Sequence, residues 1–223
     1  QHLKQYYFDT GRKFQFTELT SYLYKRELLS STPSQNKNIS LSDDITDEKF
    51  ESIVDSLVIP VDTTYNSSVH VEETDMFPNK NDVFIIRHPR YTRSSPHIHN
   101  YFEINYVQKG SCSFLFENDN KELHKGDVCI IAPSSIHDLV INDNSTIIYT
   151  IMIRKSTFDT TFFSLLSQKN LLSYFFRNIL QNENTANYLL FNNCTDDILK
   201  KIIRHLMLEC YRNDTYSNNC CIN

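Results

Sequence analysis

The 223-residue sequence has no run of about 18 apolar residues, so no segment of it suits a bilayer-crossing helix. Its first residues, QHLKQYYFDTGRK, are polar and lack the apolar core of a secretory signal. There is no initiating Met, which suggests a fragment of a longer chain. Dense Lys/Arg clusters are also missing, and the formal net charge is −5. Binding nucleic acid requires cationic side chains that replace the counterions condensed on phosphate, so these residues are not expected to hold DNA alone. The six cysteines, at 112, 129, 194, 210, 220 and 221, form no C-x-x-C pair and no small-domain spacing. Cys112 and Cys129 fall in apolar runs, where Cys acts as a small hydrophobe. A reduced, cytoplasmic setting is the expectation. Glycine is scarce: only Gly11, Gly110 and Gly126 occur. The last two stand where a hairpin needs positive φ, so they mark turns.

What is present divides into three stretches. The composition, 40% hydrophobic and 22% charged, is ordinary for a globular chain. Residues 1–80 read as helices joined by a polar linker, SSTPSQNKNISLSDD. One helix, capped by Thr17, runs through Leu19, Tyr22, Leu23 and Arg26; a second, capped by Thr46, carries Phe50, Ile53, Val54 and Leu57 and ends before Pro60. Both are expected to pack outside the next domain. Residues 81–155 change to strand periodicity: VFIIRH, YFEINYVQK, SCSFLFE, DVCIIA, DLVIN and TIIYTIMIR follow one another at short intervals. Their connections hold Gly110, Asn118-Asp119-Asn120, Lys125-Gly126, Pro133-Ser134-Ser135 and Asp143-Asn144. Short β-branched and aromatic strands with tight turns indicate an antiparallel sandwich or barrel. Residues 156–223 turn helical again, with a helix near Phe158–Leu166, another over 171–181, a short strand NYLLFN, and a long last helix capped by Thr195. Ile198, Ile202, Leu206 and Cys210, flanked by Leu199, Ile203 and Met207, give that last helix a broad apolar stripe, with Lys200, Lys201, Arg204 and Glu209 on the wetter side. It either folds back on the barrel or pairs with a second copy of itself. No internal repeat is visible.

The chemistry-bearing segment is PHIHNYFEINYVQKG, residues 96–110. In a continuous strand, alternate residues share a face, so His97, His99 and Glu103 project to one side together with Tyr101, Asn105 and Val107. His137 follows a turn between two later strands, and a barrel can set it beside them. Three imidazoles and a carboxylate are the donors of a Mn, Fe, Ni or Zn site; they equally make a metal-free polar pocket. The mixed polarity of the face leans toward a polar ligand such as a sugar. His2, His70, His88, His124 and His205 have no partners at meaningful spacing and are read as surface or packing residues.

The spacing His97-x-His99-x3-Glu103-x6-Gly110 resembles the first cupin motif, with Tyr91 in place of its opening Gly. Gly126 through His137 resembles the second, with Ala132 where the first Pro is expected, Ser134 or its neighbour where Gly is, and Ile141 where Asn is. More closely, His97 to Gly110 followed by Leu123, Gly126-Asp127, Ile130-Ile131, Pro133 and His137 resembles the N-terminal sensor domain of AraC-type transcriptional regulators. The likeness covers residues 82–210. It implies a mainly β fold, a cupin-like antiparallel barrel (double-stranded β-helix) with N- and C-terminal helices. It also implies a small effector, a sugar or other small polar metabolite, bound in the barrel by His97, His99, Tyr101, Glu103, Asn105 and His137, and a homodimer formed through the later helices. DNA is read by a C-terminal helix-turn-helix domain, which is not visible in these residues. On this reading the chain is a sensor, not an enzyme, and has no membrane partner. No cofactor is expected, with a divalent transition metal on His97, His99, Glu103 and His137 as the alternative. The second reading is a metal-dependent cupin enzyme, an isomerase or dioxygenase.

Overall fold

The computed structural model describes residues 2–28, 45–57, 69–77, 81–141, 143–160, 169–181, 187–194, 196–212 and 216–222. The Ser/Asn-rich linker, Pro60, the second half of the helix expected near 158–166 and the Thr195 cap lie outside them.

Two antiparallel sheets face each other. Strands β2 (Val83–Arg87), β4 (Phe102–Lys109), β7 (Val128–Ile131), β9 (Ile147–Ile153) and β10 (Tyr188–Phe191) form a five-stranded sheet in the order β10-β7-β4-β9-β2. Strands β5 (Ser111–Phe116), β6 (Asp119–His124) and β8 (His137–Val140) form the second, in the order β6-β5-β8. Between them lies an apolar core of Val107, Cys112, Phe114, Leu123, Cys129, Ile131, Leu139, Ile141 and Ile148. A third, two-stranded parallel piece pairs β1 (His70–Val71) with β3 (Ile98–His99). The strand and turn spacing predicts a sandwich or barrel, and this is the cupin-like fold with flanking helices that the resemblance implies.

The central strand β4 is buried on both faces. Its odd residues Glu103, Asn105 and Val107 face the barrel interior, while Phe102 and Tyr106 belong to a second core on the outer side. Helices cover that outer face. The helix α3 (Asp47–Ser56) starts at Thr46, whose hydroxyl accepts from Lys49 N at 3.3 Å, the cap its sequence predicts. It buries Phe50 and Val54, and its Glu51 accepts a hydrogen bond from Tyr149 Oη at 2.7 Å. The helix α6 (Leu171–Gln181) buries Phe175, Phe176 and Ile179, and Phe176 meets Phe102 edge-on at 5.2 Å. The helix α7 (Asp197–Arg212) folds back on the barrel through Ile203, Met207, Leu208, Cys210 and Tyr211, yet leaves Ile198 and Ile202 exposed. Remaining short helices are α1 (His2–Thr10), α2 (Phe16–Lys25), α4 (Glu73–Met76), α5 (Lys155–Thr160) and α8 (Ser217–Ile222).

Four expectations need correction. Helix α2 is capped by Gln15, not Thr17: Gln15 N donates to Glu18 Oε2 at 2.8 Å, and Thr17 lies inside the first turn. The segment Asn118-Asp119-Asn120 is not a loop. The turn is Glu117-Asn118, with Glu117 at φ +51, and Asp119 opens β6. That strand was hidden because only its Leu123 is buried, which leaves no apolar alternation to read. The strand through residues 97–109 is broken at Asn100-Tyr101, although the parity argument survives the break. Finally, Arg204 is not on a wet face. It is buried, donates to Ile45 O at 3.0 Å and to Asp47, and lies over the Phe50 ring, because α3 docks where solvent was expected.

The turn at Gly110 is held by a close approach. Its φ is +79, and a Cβ there would stand 2.0 Å from Thr146 Oγ1 and 2.9 Å from Thr146 Cα. The two positions where the cupin motifs carry further glycines, Tyr91 and Ser134, sit at φ +66 and +64. The left-handed backbone is therefore kept where the glycines are not.

Candidate functional site

One end of the barrel interior is packed with apolar side chains; the other, the polar end, carries the histidines and carboxylates and holds a cavity of about 130 Å³ whose wall is mostly apolar. Cavities of about 150 Å³ accept a single small ring, so the space suits a compact molecule. His97 and His137 are brought face to face by a two-way backbone bridge, His97 N to His137 O at 3.0 Å and His137 N to His97 O at 3.1 Å. Each ring is then oriented the same way. His97 Nδ1 donates to Ser95 O at 3.1 Å, and His137 Nδ1 donates to Ser135 O at 3.0 Å. A carbonyl on Nδ1 fixes the ring and leaves Nε2 directed inward.

Glu103, from β4, is the centre of the cluster. Its Oε1 lies 3.5 Å from His137 Nε2, and its Oε2 lies 3.6 Å from His99 Nε2. Asn105 Nδ2 donates to Glu103 Oε1 at 2.7 Å, Thr150 Oγ1 donates to Asn105 Oδ1 at 2.7 Å, and His88 Nδ1 stands 3.2 Å from Thr150 Oγ1. The carboxylate is thus held from behind by a relay running across three strands. His99 is fully buried, and neither ring nitrogen makes a well-formed hydrogen bond; its ring stacks on Tyr101 at 4.2 Å.

Burial and charge compete here. Burial opposes ionisation of Glu103, but the His137 contact and the three neighbouring imidazoles outweigh it and hold the carboxyl far below its usual range. Burial likewise opposes charge on His137, yet the Glu103 carboxylate raises its pKa overall. For His99, burial first and then His137 lower the pKa to about 3, so its ring stays neutral. His97 and His88 are lowered as well, chiefly by burial.

Of the six residues singled out from sequence, His97, Tyr101, Glu103 and His137 line the cavity. His99 and Asn105 stand behind them, one under the Tyr101 ring and the other under the carboxylate. His88, read from sequence as a packing residue, instead lines the cavity and ends the relay. Nothing in its local spacing reveals this, because it is the register of β2 on β9 that carries it to Thr150. Arg93, Ser95, Asp138, Thr150, Met76 and Met152 also line the space and were not foreseen.

The donor set also fits a metal in part. One ligand atom each from His97, Glu103 and His137 lies within 4.8 Å of the others, so these three residues could hold a divalent ion. Such an ion would supply Lewis-acid chemistry. His99 is not in that group of three, which leaves the expected four-residue set incomplete.

A small barrel of two facing antiparallel sheets with an inward-facing pocket is a domain of cupin type. More particularly, residues 82–187 match the family model described as the AraC-like ligand binding domain. Solved structures with a similar fold include apo ToxT K231A from Vibrio cholerae, 16% identical with a TM-score of 0.42. That match covers 66% of this chain and 53% of ToxT. ToxT from the same organism with an unsaturated fatty acid bound is 14% identical, with a TM-score of 0.39 over 65% of this chain and 53% of that one. KdgF from Halomonas sp. is 19% identical, with a TM-score of 0.31 over 34% of this chain and 74% of that one. The chain therefore spans about half the length of the ToxT structures it resembles. No curated protein matches the sequence.

Proposed function

We propose that the chain is the effector-sensing and dimerising part of an AraC-type transcriptional regulator, and that it binds a small polar molecule in the barrel. The observation that supports this best is the cavity at the polar end, lined by His97, Tyr101, Glu103 and His137, within a domain of the AraC-like ligand binding family. Asn105 and His99 position the carboxylate and the Tyr101 ring. The chain acts as a sensor and not as an enzyme, and DNA is contacted by a separate domain.

Ligand can alter regulation only if it prefers one arrangement of the chain over another, and the rim offers such a coupling. Arg93, which lines the cavity, pairs with Glu18 of α2 at 2.6 Å, and its backbone N donates to Phe14 O at 2.8 Å. The rings of Tyr7 and Phe8 lie 5.3 and 6.1 Å from that of Tyr91. A ligand that moves Arg93 therefore moves the N-terminal helices. Dimerisation uses the face of α7 on which Ile198 and Ile202 remain exposed.

The test is isothermal titration of the chain against small sugars, polyols and amines, beside a gel-shift assay with operator-length DNA. A saturable small-molecule heat that vanishes in Glu103→Gln, with no sequence-specific shift by the chain alone, is expected. A tight, specific DNA shift by these residues would contradict the proposal. Elemental analysis is expected to find no stoichiometric transition metal. In sedimentation, Ile198→Glu/Ile202→Glu is expected to convert a dimer to a monomer.

A further inference from the structure

Resting on that pocket reading, we propose that the ligand carries a positively charged, hydrogen-bond-donating head, an organic ammonium, on a short apolar body. Among the polar groups lining the cavity, Glu103, Asp138 and His97 Nε2 are acceptors, while the hydroxyls of Thr92, Ser95 and Tyr101 can serve either way. Glu103 uses Oε1 to accept from Asn105, and among the described residues its Oε2 accepts no hydrogen bond, with His99 Nε2 at 3.6 Å. Asp138, also buried, accepts from Ser94 Oγ and Ser95 N, both at 2.7 Å, and from Leu139 N at 2.9 Å. None of those donors is charged. His97 has its Nδ1 proton on Ser95 O and offers Nε2, while the Thr150 hydroxyl proton is directed to Asn105. His137 also lines the cavity, but its Nε2 is closed to solvent, has no well-formed hydrogen bond and is turned toward Glu103 Oε1 at 3.5 Å.

Charge points the same way. Among the described residues the lining contains two carboxylates and one Arg or Lys, Arg93, which is half exposed and paired with Glu18. Even with His137 protonated against Glu103, the charge of Asp138 is not offset. A buried carboxylate without a cation is costly, and an incoming ammonium both neutralises it and gives three N–H donors to acceptors that have few. An anionic ligand would meet like charge instead. The rest of the wall, Val71, Met76, Ile86, Leu139 and Met152, is apolar and offers contact to a short alkyl group.

Chelator-treated protein is titrated with three compounds of nearly equal size, isobutylammonium, isobutanol and isobutyrate, while the His97 and His137 imidazole signals are followed by NMR. Isobutylammonium is expected to bind at least about tenfold more tightly than isobutyrate, with isobutanol between, a ratio set by one well-placed charge pair. In Glu103→Gln that preference is expected to shrink several-fold; should this variant not fold, Asp138→Asn serves the same purpose. If isobutyrate or isobutanol binds as tightly as the ammonium, the charge inference fails and the pocket reading stands. If none of the three moves either imidazole, the charge inference fails, and the titration with sugars and polyols decides the pocket reading.

Discussion

The two ends of the barrel are built on the same strands and differ in what they bury. Along β4, Val107 enters a core of Phe114, Leu123, Cys129 and Ile148, all essentially closed to solvent. Four residues earlier on the same strand and face, Glu103 enters a group of three histidines. The apolar end gains from burial at about 25 cal/mol per Å². At the other end, Asp138 and Asn105 recover their hydrogen bonds within the protein, but several imidazole nitrogens do not. Neither His99 ring nitrogen makes a well-formed hydrogen bond, and His137 Nε2 faces Glu103 only at 3.5 Å. Buried polar groups left short of partners indicate a site awaiting one. On the proposed reading, one end serves stability and the other recognition.

The largest expected effect comes from breaking the apolar end. Phe114→Ala should cost about 3–5 kcal/mol in urea unfolding, as large-to-small changes in cores do, while the surviving folded protein binds ligand as before. Acidification attacks the polar end. His99, with its folded pKa near 3 against 6.5, resists a proton that the unfolded chain accepts. Stability from this group is therefore lost as pH falls below 6.5, by about 1.4 kcal/mol per unit. His97 and His88, also lowered, act in the same direction. His137 acts oppositely: its raised pKa makes a contribution that is full below 6.5 and lost as pH rises through its folded value. Glu103 keeps its contribution until pH falls through its depressed value, well below this window. Between pH 6.5 and 5, urea titrations should thus show a net loss of stability, to which His99 contributes roughly 2 kcal/mol, and His99→Leu should blunt it. The smallest effect is a gain. Ser134 holds φ +64, so Ser134→Gly should raise stability by about 0.5–1 kcal/mol, read as a higher melting temperature.

Much of the barrel was legible because local rules and tertiary structure agree there. Gly110 and Gly126 fall at positive-φ turns, and the alternation of β4 placed His99, Tyr101, Glu103, Asn105 and Val107 on one buried face despite the break at Asn100-Tyr101. Strand β6 was illegible because its exposed residues carry no burial pattern. His88, Asp138 and Thr150 were illegible as site residues for a different reason. They converge through the pairing of β2 with β9 in one sheet and the position of β8 in the facing sheet, and no spacing within one segment encodes that. Arg204 misled because its charge is buried by a helix about 150 residues earlier in the chain, through Asp47 and Phe50.

The central claim is that the polar end is kept for a ligand and not for the fold. The most direct test replaces the cluster by apolar groups of similar size, Glu103→Met/Asn105→Leu/His137→Phe, and measures urea unfolding. Exchanging a buried charged cluster for packed hydrophobes is often neutral or stabilising by about 1–4 kcal/mol. The account predicts an unfolding midpoint at or above that of the wild type, with an unchanged denaturant slope. A loss of more than about 2 kcal/mol, well beyond that neutral range, would show that these residues hold the barrel together and would contradict it.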